Sequence, residues 1–118
     1  NITLSYQMEH PERINDLNRE KRFEIEKILQ ELTSNVLKHS EADEVNLSLH
    51  VDDNEVELVF SDNGRGGVEE KIDSEGFGLG NMRNRIGHLG GTFRIHSPVG
   101  EGTFISITIP VPGKGDGP

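Results

Sequence analysis

Gln30-Glu31-Leu32-Thr33-Ser34-Asn35-Val36-Leu37-Lys38-His39 is the stretch that decides how this chain is read. In a helix, successive residues stand about 100° apart. On that wheel Ile25, Ile28, Leu29, Leu32 and Val36 make one apolar stripe, and Glu31, Asn35 and Lys38 cluster within roughly 60° of one another beside it. One helix can therefore bury one side and offer a carboxylate, an amide and an ammonium at its margin. These groups suit a magnesium–phosphate ligand, because a hard cation takes oxygen ligands and an ammonium answers phosphate charge. On an arbitrary helix, solvated surface charge is the commoner account of Glu31 and Lys38. Asn35 weighs against it: Asn is a poor helix former, and here it sits in mid-helix next to the core stripe.

The helical period runs from about residue 18 to residue 40, with Asn15 or Asp16 as the expected cap. Before it, Ile2, Leu4 and Tyr6 alternate with polar residues as in a short strand, which His10-Pro11 breaks. After it, Val45, Leu47, Leu49 and Val51 alternate, Asp52-Asp53-Asn54-Glu55 has turn chemistry, and Val56, Leu58 and Phe60 alternate again. Residues 44–61 thus read as a β-hairpin. From Asp62 to Gly80 the periodic signal stops, apart from a short turn expected near Val68–Ile72, and glycines crowd the segment. A connection this long in a compact domain is usually functional or disordered. Leu79, Met82, Ile86 and Leu89 return to helical spacing, and Gly90-Gly91 stops that helix. Phe93 and Ile95, then Ile105, Ile107 and Ile109, predict two closing strands around a Pro98–Gly102 turn. The order β-α-β-β-loop-α-β-β predicts an α+β fold, a two-layer sandwich whose mixed, mostly antiparallel sheet carries its helices on one face. Residues 1–110 are expected to form one domain, and 111–118 a disordered Gly/Pro tail.

Composition narrows the function classes. The chain has 118 residues and a formal net charge of -9. It has no Lys/Arg-rich run, so the electrostatic footprint of a nucleic-acid binder is missing. The same balance disfavours anionic membranes, and no apolar run approaches the roughly 20 residues that span a bilayer. There is no cysteine, hence no thiolate metal site and no Cys nucleophile. The five histidines lack metal-ligand spacing, and no Gly-x-Ser-x-Gly hydrolase signature occurs. An anion must therefore be held by a few placed groups or a bridging cation. The chain opens at Asn1 directly into a strand pattern, which reads as a piece of a longer protein.

Two further motifs admit two accounts each. Asp62-Asn63-Gly64 is a strong turn signal, yet no alternating partner strand follows it. The other account aims the Asp62 carboxylate into a pocket, with Gly64 and Gly66 admitting a flat ligand to the backbone. Gly76-Phe77-Gly78-Leu79-Gly80 enters a helix, where unblocked N–H groups can hold an anion. A flexible linker explains it equally well. Gly100-Glu101-Gly102-Thr103 is by default a tight turn with a polar residue at a strand start.

The order of these motifs is more specific than any one of them. Glu31-x-x-x-Asn35-x-x-Lys38-His39, Asp62-x-Gly64-x-Gly66, Gly76-Phe77-Gly78-Leu79-Gly80-Asn81-Met82-Arg83 and Gly100-x-Gly102-Thr103 resemble the N, G1, G2 and G3 boxes of sensor histidine kinase ATP-binding domains. That family belongs to the superfamily shared with gyrase, Hsp90 and MutL ATPases, which has the Bergerat ATP-binding fold. Gln30-Glu31, the Met82-Arg83-Asn84-Arg85 run and Leu89-Gly90-Gly91 look like the nitrate- and stress-sensor subfamily.

The resemblance implies ATP and Mg²⁺ as ligands. Asn35 would ligate Mg²⁺, Glu31 would act on groups around the metal and the incoming histidine, and Lys38 and His39 would contact phosphates. Asp62 would accept a hydrogen bond from the adenine amino group, with Thr103 supporting it through a water. Gly64 and Gly66 would allow close adenine approach, residues 65–78 would form a lid, and Gly78, Leu79 and Gly80 would bring backbone to phosphate. The implied reaction moves the γ-phosphate to a histidine on a separate dimerisation domain, and from there to a response regulator, on the cytoplasmic side. Two features depart from the pattern. Phe77 is the one candidate for a separate F box, and no histidine here is followed by the Asp or Glu of a phosphoacceptor. An anti-sigma-type serine kinase and a non-catalytic nucleotide-binding module share the superfamily. The Arg83/Arg85 helix weighs against the first, and the presence of Glu31 and Asn35 against the second.

Overall fold

The computed structural model describes residues 3–39, 41–52, 54–67 and 79–111, without the side chains at 4, 11, 14, 16 and 35–39. Strand β1 spans Thr3–Glu9, and a 3-10 turn follows over Pro11–Asp16. Helix α1 spans Arg19–His39, β2 Glu44–Val51 and β3 Glu55–Asp62. Helix α2 spans Leu79–His88, β4 Thr92–His96 and β5 Thr103–Pro110. The strands form one five-stranded sheet in the order β1-β2-β3-β5-β4. β1 pairs with β2 in parallel, and every other pairing is antiparallel. This is the mixed α+β architecture expected from the alternation of patterns.

Alternation decides which face is buried. Val45, Leu47, Leu49 and Val51 of β2, Val56, Leu58 and Phe60 of β3, and Ile105, Ile107 and Ile109 of β5 are buried on one side of the sheet. Ile25, Ile28 and Leu32 of α1 and Leu79, Met82 and Ile86 of α2 complete the same core. Both helices therefore cover one face. At roughly 25 cal/mol per Å² of apolar surface removed from water, that shared layer is the main source of stability. Val111 joins the core too, and its N–H donates to Asn54 O at 2.8 Å. It was expected in the tail. One further apolar residue in register extends the folded segment past 110, and residues 112–118 lie outside the described set.

The cap of α1 also differs from expectation. Asn18 Oδ1 accepts the Lys21 N–H at 2.7 Å, the geometry of an N-cap. Asn15 and Asp16 belong to the 3-10 turn that precedes it, a short element with no sequence period of its own. At the end of α2, Gly90 (φ 76°) lets the Gly91 N–H reach back to Ile86 O at 2.9 Å, which stops the helix as the Gly-Gly pair predicts. In the β2–β3 turn, Asp52 Oδ1 accepts the N–H groups of Asn54 and Glu55 at 2.7 and 2.8 Å. Those two bonds, with His50 nearby, hold the Asp52 carboxyl below its ordinary value.

Candidate functional site

Asp62 is the last residue of β3, and its register partners are Val45 on β2 and Thr103 on β5. Strand side chains alternate with period two. Asp62 and Thr103 therefore share the helix-facing side with Phe60 and Ile105. Ser97 extends the inward set of Phe93 and Ile95 just past β4. One end of the sheet thus carries a row of polar groups on its core face: a half-buried carboxylate at Asp62 and buried hydroxyls at Thr103 and Ser97. Buried polar side chains at the end of a sheet are the natural floor of a ligand site.

The loops that leave this row hold it in place. Gly64 N–H donates to Asp62 Oδ1 at 2.8 Å, which fixes one oxygen of the carboxylate. Asn63 does not make a hairpin, because the next strand paired with β3 is β5. Its Oδ1 accepts the N–H groups of Asp43 and Glu44, both at 3.0 Å, and its Nδ2 donates to Asp43 Oδ1 at 2.7 Å. Asn63 therefore ties the end of β3 to the start of β2, a structural role the turn reading did not include.

Gly66 and Gly102 explain the glycine spacing. Gly66 has φ 69°, and a Cβ there would stand 2.1 Å from Pro98 O and 2.8 Å from Gly102 O. Gly102 has φ 76°, and a Cβ there would stand 2.2 Å from Asp62 O. Two stretches of backbone thus pass each other where no side chain fits. Gly67 N–H to Ser97 O and Gly100 N–H to Arg65 O, both 2.6 Å, stitch them together. At Gly66 the close neighbour is the protein's own β4–β5 turn. Arg65 also forms an ion pair with Glu41.

α2 begins at Leu79. The Leu79 side chain is buried in the core, and Gly80 follows in the first turn. The first N–H groups of a helix have no internal partner and carry positive potential. Gly78 and the rest of the expected lid from 68 to 78, with Phe77, lie outside the described residues. Asn35, Lys38 and His39 lie on the last two turns of α1, and their side chains are outside the description as well. Among the described residues no group of three His, Cys, Asp or Glu could hold a metal ion.

Glu31 is placed by α2. Arg85 Nη1 donates to Glu31 Oε1 at 2.6 Å, and Arg85 Nε approaches Glu24 Oε2 at 3.1 Å. Glu31 Oε2 is buried and has no hydrogen-bond partner among the described residues. One guanidinium thus clamps two carboxylates of α1, across a sequence separation of 54 residues in the Glu31 pair. All three side chains are less than a third exposed. Arg85→Met should lower stability by about 2 kcal/mol, since it leaves two half-buried carboxylates without their cation. Thermal unfolding measures this, and Arg85→Lys should recover part of the loss. An unchanged Tm in Arg85→Met would mean that the clamp contributes nothing.

The family model described as histidine kinase-, DNA gyrase B- and HSP90-like ATPase matches residues 20–113. The chain belongs to this family. Among proteins similar to this ATPase domain, the sensor histidine kinase LiaS of Bacillus subtilis is 33% identical over 85 residues. DegS of the same organism, a signal transduction histidine-protein kinase/phosphatase, is 39% identical over 89 residues. Each alignment covers 72% of this chain but 24% and 23% of the relative, so the chain spans about a quarter of their length. Among solved structures, the blue-light activated histidine kinase of Erythrobacter litoralis has a TM-score of 0.72 at 22% identity, over 93% of this chain and 35% of that one. The mycobacterial sensor histidine kinase MprB has a TM-score of 0.66 at 18% identity, over 96% of this chain and 84% of that one. At those identities the likeness establishes the fold. Among the described residues of this ATPase domain, no helix is long and apolar enough to cross a membrane.

Proposed function

We propose that this domain binds Mg-ATP and passes its γ-phosphate to a histidine on a separate dimerisation domain, as the catalytic half of a two-component sensor kinase. The observation that carries this is the row Asp62–Thr103–Ser97 at the sheet end, in a chain of this family. Asp62 Oδ2 is the acceptor for the adenine amino group, and Thr103 supports the base through a water. Gly64 and Gly66 would let the base approach the backbone closely. The N–H groups at Gly78, Leu79 and Gly80 would face the phosphates, and Lys38 and His39 would contact them. The donor set fits Mg²⁺, which keeps several waters and takes one or two protein oxygens besides the phosphates. Asn35 would supply that oxygen, and the ion would neutralise phosphate charge that a chain of net charge -9 cannot.

Phosphoryl transfer depends mostly on positioning and charge neutralisation. Glu31 adds a carboxylate with an oxygen unpartnered among the described residues, suited to orient or deprotonate the incoming imidazole. The response regulator is the expected next acceptor, and the domain works on the cytoplasmic side, where ATP is found. The test mixes the chain, labelled Mg-ATP and a phosphoacceptor domain from the same kinase. The expected product is an acid-labile phosphohistidine, at least tenfold less abundant with Glu31→Gln. An acid-stable product, or none despite bound ATP, would contradict the proposal.

A further inference from the structure

Arg85 joins the two helices, and the way its hydrogen bonds are divided points beyond stability. A guanidinium matches one carboxylate best through two parallel hydrogen bonds, which use both oxygens of the acid. Arg85 forgoes that pairing. Its Nη1 donates to Glu31 Oε1 at 2.6 Å, while its Nε approaches Glu24 Oε2 at 3.1 Å. Glu24 and Glu31 stand two turns apart on α1, about 10 Å along its axis, so the guanidinium is held between two anchors. Glu31 Oε2 is left buried with no hydrogen-bond partner among the described residues. An unpaired buried carboxylate oxygen costs free energy, and a catalytic role is one of the few reasons a fold keeps one.

We infer that Arg85 is a positioning residue for phosphotransfer: anchored by Glu24, it fixes one oxygen of Glu31 and leaves the other for the incoming imidazole. This inference rests on the role proposed above for Glu31. In that reaction one imidazole nitrogen forms a bond to the γ-phosphorus, the bond from that phosphorus to its bridging oxygen breaks, and ADP leaves. The proton on the other ring nitrogen is the one a carboxylate oxygen can hold and accept. A carboxylate free to rotate on its flexible stem orients a ring poorly. Arg85 removes that freedom from Glu31, as Glu24 removes it from the guanidinium. The place of Arg85 on α2 adds a second link. It lies in the last turn of the helix that begins at Leu79, so one rigid element joins Glu31 to the N–H groups proposed to hold the phosphates.

The experiment measures single-turnover phosphotransfer from labelled Mg-ATP to the phosphoacceptor domain of the same kinase, beside ATP affinity by calorimetry and the thermal midpoint. Rates are taken at saturating ATP and well below the midpoint of each variant. In Arg85→Met the rate should fall about tenfold while ATP affinity stays within about twofold, because the contact serves the transition state and not nucleotide binding. Arg85→Lys should regain part of the thermal stability but little of the rate, since an ammonium supplies charge without the rigidly spaced donors that reach both carboxylates. Glu31→Gln should lose the rate as well, and adding Arg85→Met to it should cost no more than about twofold further. A wild-type rate in folded Arg85→Met overturns the inference. So does a second loss of about tenfold in the double variant, which would show that Arg85 acts apart from Glu31. Should Arg85→Met fail to fold, Glu24→Ala decides: a loss of about threefold or more at unchanged ATP affinity supports the inference, and an unchanged rate overturns it. A wild-type rate in Glu31→Gln overturns the role proposed for Glu31 and this inference with it, a result distinct from a Glu31 that works without Arg85.

Discussion

Asp62→Asn should weaken Mg-ATP binding by about 3 kcal/mol, on the order of a hundredfold, while the protein stays folded. The size follows from one hydrogen bond already present. Gly64 N–H donates to Asp62 Oδ1 at 2.8 Å, which fixes one oxygen. An asparagine must keep its only acceptor on that N–H, so its amide donors turn toward the ligand. The adenine amino group then meets a donor instead of a carboxylate. The substitution removes a charge-assisted bond and adds a donor–donor contact, while size and shape are unchanged. Calorimetry gives the affinity, and the thermal midpoint should move by no more than a few degrees. Retained affinity in Asp62→Asn would place the base elsewhere.

Gly102→Ala should be among the most damaging small substitutions, costing about 4 kcal/mol of stability and abolishing nucleotide binding. The left-handed backbone at Gly102 costs about 1 kcal/mol or more with any L side chain. The greater part is steric, because the new Cβ would stand 2.2 Å from Asp62 O, which belongs to the β3–β5 ladder. That ladder must shift to admit it, and the Asp62 carboxylate shifts with it. Gly100 gives the internal comparison: its φ is 85°, but nothing lies within 4 Å of where a Cβ would be. Gly100→Ala should therefore cost only the conformational part, about 1 kcal/mol, and leave binding intact. Denaturant titration of both variants separates the two contributions. Equal losses would show that crowding at Gly102 is relieved without consequence.

The parts legible in the sequence are those that repeat. The period-two apolar sets of β2, β3 and β5 and the α1 stripe through Ile25, Ile28 and Leu32 mark burial directly, and they position the core and both helices. Asp62, Gly66, Gly102 and Thr103 were legible as motif members, and the structure assembles them at one end of the sheet. Local irregularity hid other features. The 3-10 turn before α1 shifted the cap from Asn15 or Asp16 to Asn18. Asn63 looked like a turn residue, because its true partners, Asp43 and Glu44, precede it by about 20 residues. The clamp of Arg85 on Glu24 and Glu31 joins helices with no local signal between them. Ser97 carried a faint mark, a polar residue continuing the inward alternation of Phe93 and Ile95, and only its burial shows that the alternation persists past the strand.

The most direct test is a structure of this chain with a magnesium-bound, non-hydrolysable ATP analogue. The adenine N6 should lie about 2.9 Å from Asp62 Oδ2, with the triphosphate running toward the start of α2 and the end of α1. A base bound away from Asp62, or an analogue that occupies another surface while this row stays unvisited, would contradict the account.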